Sequence, residues 1–169
     1  MLRSLVGSEM CIRDSKKAYR FLKEEVPETY YTVPLGKADV KRSGEDITVF
    51  CYGLMVNYCL QAADILASDG IDVEVVDLRT VYPLDKATII ERSQRTGKVL
   101  LVTEDNLEGS IMSEVSAIIA ENCLFDLDAP IMRLAAPDVP SMPFSPTLEN
   151  EIMMNPEKIQ DKMRELAQF

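Results

Sequence analysis

The spacing of apolar and polar residues along this chain changes at regular intervals, and the changes mark out its elements. Asp39 to Arg42, a turn at Ser43-Gly44-Glu45-Asp46 and a strand from Ile47 to Cys51 read as a hairpin, which predicts one antiparallel strand at a sheet edge. Leu54 to Ala67 carries apolar residues at 56, 59, 60, 63 and 66, a helical stripe that Gly70 terminates. The β-branched residues at 73, 75 and 76 predict a buried strand over Val73 to Val76. Pro83 stops further pairing, and Asp85 caps a helix that runs through Arg95 and ends at Gly97. Val99 to Val102 is the next core strand. Ser110 opens a helix with Ile111, Val115, Ile118 and Ile119 on one face, and Pro130 leads into a strand at Ile131 to Leu134. A proline-rich loop spans Pro137 to Pro146; Asn155-Pro156 then caps and starts a last helix whose apolar face is Ile159, Met163 and Leu166. Strands alternating with helices of this length imply parallel pairing with helices over both sheet faces. The expected fold is α/β, a three-layer α/β/α sandwich with a mostly parallel sheet and an antiparallel edge strand.

Upstream of Ala38 the pattern weakens. Met1 to Ser15 has no amphipathic period, so residues 1–15 are read as a foreign or artefactual leader. Lys16 to Val26 has a short helical pattern (Tyr19, Leu22, Val26), followed by Pro27 and the β-prone Tyr30-Tyr31-Thr32-Val33-Pro34. Residues 16–37 therefore read as a linker from a missing upstream body, and residues 38–169 as the domain.

Composition then narrows the classes. A chain of 169 residues, 47% hydrophobic, fits one well-buried domain. Its net charge of −10, from 28 acidic against 18 basic side chains, argues against nucleic acid and favours a basic partner. No apolar run approaches the roughly 20 residues that span a bilayer. Four cysteines without C-x-x-C spacing fit a reduced, cytoplasmic setting. Histidine is absent, which removes Ser-His and Cys-His pairs, histidine proton shuttles and His-containing metal sites.

The polar turns offer few candidates for chemistry. Tyr52-Gly53-Leu54-Met55 stands where a phosphate loop would lie, but its single glycine suits a tight packing turn better than a pyrophosphate cradle. Glu104-Asp105-Asn106 together with Asp77 could bring oxygen ligands to one crevice, as magnesium requires, although such residues ordinarily cap helices. Cys51 and Cys59 lie one strand-to-helix step apart, with no basic neighbour to activate a thiolate. The methionines fall mostly on core faces.

Several pieces occur in a telling order: Thr32-Val33-Pro34-Leu35-Gly36-Lys37-Ala38, Tyr52-Gly53, Asp77-Leu78-Arg79-Thr80 with Pro83-Leu84-Asp85, Glu104-Asp105-Asn106, and Asp128-Ala129-Pro130 leading to Ala136-Pro137-Asp138-Val139-Pro140. Together they resemble the carboxyl-terminal portion of the beta subunit of thiamine-diphosphate-dependent 2-oxo acid dehydrogenases, over about residues 16 to 169. Gly109-Ser110-Ile111-Met112-Ser113-Glu114 is most similar to the branched-chain members. The resemblance implies a transketolase-type carboxyl-terminal domain in an α2β2 assembly with an alpha subunit and a second beta subunit. That assembly uses thiamine diphosphate and magnesium, decarboxylates a 2-oxo acid and passes the acyl group to a lipoyl transacylase. The resemblance places the catalytic and cofactor-binding residues in the absent amino-terminal half, so none is assigned here. It implies docking of the transacylase's basic peripheral subunit-binding domain on Asp128 and on the terminal carboxylate of Phe169. Where family members often have histidine after the Tyr-Gly turn, this chain has Asn57-Tyr58. The competing expectation is a free-standing ligand-binding or regulatory module built on the Asp77 and Glu104 crevice.

Overall fold

A computed structural model describes residues 18–23, 25–139 and 143–169. Five strands, β1 (Asp39–Arg42), β2 (Ile47–Cys51), β3 (Val73–Asp77), β4 (Val99–Asn106) and β5 (Met132–Ala136), form one sheet in the order β1-β3-β2-β4-β5. β2 pairs in parallel with β3 and β4, and β4 with β5, while β1 is an antiparallel edge on β3. The helices are α1 (Ala18–Phe21), α2 (Leu54–Ser68), α3 (Lys86–Thr96), α4 (Ile111–Cys123), α5 (Pro146–Ile152) and α6 (Pro156–Ala167).

Alternation along the strands divides the core into two layers, as a pleated backbone requires. Ile47, Val49, Cys51, Val73, Val75, Leu100 and Val102 face α2 and α6. Phe50, Val76, Val99 and Leu101 face the opposite way, onto α3 and α4. The three-layer α/β/α architecture is therefore written in the odd and even positions of the central strands.

Three details depart from the sequence reading. β1 and β2 are not a hairpin, because β3 lies between them. Gly44 explains the detour: a Cβ there would come within 2.3 Å of the Val73 carbonyl carbon, so only glycine lets the connecting turn pass over the start of β3. Among the described residues the helix expected over Lys16 to Val26 is seen at Ala18–Phe21, and Val26, expected on its apolar stripe, is 71% exposed. The expected Pro137–Pro146 loop is followed by a helix, α5, that the sequence reading did not predict; none of its residues is buried. The leader read at residues 1–15 lies outside the described residues.

The caps match expectation. Asp85 accepts from the Thr88 N–H at 3.3 Å, and Asn155 from the Lys158 N–H at 2.9 Å, both three residues into their helices. Gly97 ends α3 in the left-handed region at φ 66°, its N–H donating to the Ser93 carbonyl.

Beneath α3 the apolar face also buries two polar residues, Thr48 and Glu74. Glu74, fully buried on β3, accepts from Thr48 Oγ1 at 3.1 Å and pairs with Arg92 at 3.4 Å and Arg95 at 2.6 Å. Thr96 Oγ1 donates to Thr48 Oγ1 at 3.0 Å, closing a network that ties α3 to β2 and β3.

Candidate functional site

Polar side chains gather at both ends of the sheet. At the carboxyl end, the strand order reverses direction between β2 and β4, where open α/β sheets form a crevice. The Tyr52 hydroxyl, at the end of β2, meets Thr103 Oγ1 and Asp105 Oδ2, each at 2.8 Å. Beyond them lies an open depression of about 260 Å³ lined by Asp105, Asn106, Glu108, Gly109 and Ser110.

Asp77 does not reach this depression. It pairs with Cys51 on β2 and Asp39 on β1, and its Oδ1 accepts from the Arg79 N–H at 2.9 Å. Burial pushes its carboxyl up, opposed by that N–H and by Lys41 and Arg79. β2 lies between the strands that carry Asp77 and Glu104, and neither residue lines the depression. Among the described residues no group of three or more Cys, Asp or Glu could hold a metal ion. Cys51 and Cys59 are both buried; burial, with Cys59 and Asp77 beside it, pushes the Cys51 thiol well up and leaves it protonated at neutral pH. Asn57 is half-buried near the start of α2.

The turn between β3 and α3 has a different role. It grips the chain segment that enters the domain. Thr80 Oγ1 accepts from the Gly36 N–H at 3.0 Å, Asp85 Oδ2 from the Ala38 N–H at 3.1 Å, and Lys37 lies 3.7 Å from Asp85 Oδ1. Burial alone would raise the Asp85 carboxyl, but hydrogen bonds from Thr88 and Ala38 and the Lys37 charge outweigh it and hold the group below its ordinary value. Arg79, at φ 54°, directs its guanidinium to Asp39 at 2.7 Å. Asp39 is also held low, chiefly by its hydrogen bond with Lys41 and further by the Lys41 and Arg79 charges. The stretch from Asp77 to Asp85 is therefore a seat for residues 36–39, and that second use of Asp85 is invisible in a cap motif.

At the amino end of the sheet, Asp128 packs on the turn Gly97-Lys98. The Asp128 N–H donates to the Gly97 carbonyl at 2.8 Å, and a Cβ at Gly97 would lie 2.4 Å from Asp128 Oδ2. The carboxylate of Asp128 thus rests against the one residue type that leaves it room. Lys98 Nζ donates to the Ala167 carbonyl at 3.4 Å, near the end of α6, and Phe169 is 62% exposed. Sequence reasoning read Gly97 as a helix end and had no signal for its contact with Asp128.

This fold, with its reversed strand order and its antiparallel edge, defines a carboxyl-terminal domain of the transketolase class. The family described as Transketolase, C-terminal domain matches residues 36–159, and the chain belongs to it. The chain is 65% identical over 156 residues to the 2-oxoisovalerate dehydrogenase subunit beta of Bacillus subtilis (strain 168), covering 92% of this chain and 48% of that protein. It is 44% identical over 153 residues to the pyruvate dehydrogenase E1 component subunit beta of the same organism, covering 90% of this chain and 46% of that one. The chain thus spans about half the length of the curated relatives it matches. Among solved structures, a split-gene transketolase described as an inactive beta4 tetramer superposes with a TM-score of 0.72 at 23% identity, over 85% of this chain and 47% of that one, which is a likeness of fold. Among the described residues no helix is long and apolar enough to cross a membrane.

Proposed function

We propose that this chain is the carboxyl-terminal part of the beta subunit of a branched-chain 2-oxo acid dehydrogenase, and that the domain serves subunit assembly and transacylase docking. The observation that carries this reading is the 65% identity over 156 residues with a 2-oxoisovalerate dehydrogenase subunit beta. In the parent assembly, read as α2β2, thiamine diphosphate and magnesium would supply the decarboxylation chemistry. This reading assigns the cofactor to the half of the beta subunit that the chain does not span. The 169-residue chain mixed with thiamine diphosphate, magnesium and a branched-chain 2-oxo acid is accordingly expected to release no carbon dioxide. Steady turnover by the purified chain would overturn the assignment of catalysis to other polypeptide.

Docking is assigned to Asp128 and the terminal carboxylate of Phe169, facing the basic subunit-binding domain of the transacylase. Acids at the rim of an interface act more on the rate of encounter than on the strength of the final complex. Asp128→Lys is expected to slow association with that domain about tenfold at low salt, with the difference shrinking as salt screens the charges. Stopped-flow or surface plasmon resonance reads the rate. An association rate unchanged at low salt would remove Asp128 from the docking face.

A further inference from the structure

Asp69-Gly70 is the one place in the 169 residues where an aspartate or asparagine precedes glycine. At such a step the second residue has no Cβ to shield its nitrogen, and its backbone rotates with little hindrance. The Gly70 nitrogen can then attack Asp69 Cγ. A nitrogen–carbon bond forms, a Cγ–Oδ bond breaks, and the oxygen leaves as water with the carboxyl proton and the amide proton. Water then opens the five-membered imide. Opening at the Cγ carbonyl restores aspartate, whereas opening at the main-chain carbonyl leaves isoaspartate, its chain routed through Cγ and one methylene longer. One water is released and one consumed, and nothing is oxidised.

Space for this step exists, but the folded chain withholds the geometry. Both residues are exposed, and a Cβ at Gly70 would meet nothing within 4 Å. Asp69 nevertheless closes α2 in a helical conformation, φ −86° and ψ 0°, which turns the Gly70 nitrogen away from the Asp69 side chain. The Gly70 N–H donates to the Ala67 carbonyl at 3.2 Å, and the Ile71 N–H to the Leu66 carbonyl at 3.1 Å. From α6, Arg164 donates to Asp69 Oδ2 through Nε at 3.2 Å and Nη2 at 2.7 Å, across 95 positions of chain. The carboxylate is thus pinned to a second helix while the nitrogen that would attack it is engaged in the first.

We propose that Asp69-Gly70 is a site of isoaspartate formation and that Arg164 is its latch, the ion pair between α2 and α6 setting how often this helix end opens to the reactive geometry. The rate then follows the population of the open end, a local opening that leaves the rest of the domain folded. Isomerisation therefore reports the seating of α6, because lifting that helix frees the carboxylate. Loss of one exposed ion pair raises such a population by up to about fivefold.

The test holds the purified full-length parent, Arg164→Gln, Lys162→Gln and a peptide of residues 64–74 at physiological temperature and neutral pH. Isoaspartate at position 69 is followed by peptide mapping with mass spectrometry, and urea denaturation corrects each rate for global stability. The parent is expected to convert more slowly than the peptide, and Arg164→Gln about fivefold faster than the parent. Lys162→Gln, which removes a pair with Glu165 on the same helix, should keep the parent's rate. Equal corrected rates in Arg164→Gln and the parent, or equal acceleration in Lys162→Gln, would overturn the latch. A peptide that converts while Arg164→Gln forms no isoaspartate at position 69 would overturn the site itself.

Discussion

Replacing Glu74 by alanine is expected to lower the unfolding free energy by about 3 kcal/mol, the lower end of the range for breaking a buried ion pair. Glu74 is wholly inaccessible, and its carboxylate is shared by Thr48, Arg92 and Arg95. Alanine removes the charge, opens a void under α3 and leaves two guanidinium groups without their common acceptor. The arginine side chains limit the loss. They are 27% and 29% exposed, and each has a second acid within reach, Glu91 for Arg92 at 3.3 Å and Glu45 for Arg95 at 2.7 Å. Both can therefore turn outward and rehydrate. The same reasoning gives Glu74→Met a smaller cost, about 1 kcal/mol, because an apolar side chain of similar length refills the void. Urea denaturation of the parent and both variants decides the matter. Equal stability of Glu74→Ala and the parent would mean that the network specifies the docking of α3 without stabilising it.

How far the fold could be read depended on how local the determining physics is. Helix ends at Asp85, Gly97 and Asn155 are set by a side chain and a backbone N–H three residues apart, or by one left-handed residue, and the sequence displays both. The alternation that puts Phe50 on one face and Val49 on the other is equally local. Strand order is not. Ser43-Gly44-Glu45-Asp46 has the composition of a hairpin turn, yet Gly44 is required by Val73 and Glu74, some thirty positions away in the chain, which occupy the place a hairpin partner would take. The helix α5 escaped for a related reason. It buries no side chain and is tied down by Lys158, whose ammonium donates to the carbonyls of Asn150, Glu151 and Met153. Without an apolar stripe, periodicity gives no signal.

The sequence names candidate residues but not how the fold groups them. Asp77 and Glu104 both lie at carboxyl ends of strands, so sequence order allows them one crevice, but β2 inserts between their strands. Asp128 is held by Gly97, 31 positions earlier in the chain, a contact no local pattern displays. A glycine at the end of a helix explains itself as a cap, which conceals that the same missing Cβ accommodates a carboxylate. Residues with one evident reason to be present are where a second reason is hardest to see.

Asp85 is the fullest instance, and Asp85→Ala is expected to cost about 3 kcal/mol. Loss of the cap on α3, where Asp85 accepts from the Thr88 N–H and from Thr88 Oγ1 at 2.8 Å, accounts for about 1 kcal/mol. Loss of the charged acceptor for the Ala38 N–H contributes about 2 kcal/mol. The Lys37 pair adds little, since that ammonium is 62% exposed. Asp85→Asn keeps a capping oxygen and should lose only about 1 kcal/mol. The pH dependence follows from the carboxyl being held below its ordinary value. In the acid range the unfolded chain binds the proton that the folded chain does not, so stability rises with pH there. The contribution of Asp85 is then fully present above about pH 4 and lost as pH falls through the lower, folded value. The difference in stability between the parent and Asp85→Ala should accordingly be constant from neutrality to about pH 5 and contract only in stronger acid. Hydrogen exchange at Ala38 supplies a local readout. If Asp85 seats the entering segment, that amide exchanges faster in Asp85→Ala by more than global destabilisation explains, whereas Thr88→Val, which removes only the hydroxyl contact to the same carboxylate, leaves it protected. Equal exchange at Ala38 in the two variants, once corrected for stability, would reduce Asp85 to a helix cap and detach the Asp77–Asp85 turn from the positioning of residues 36–39.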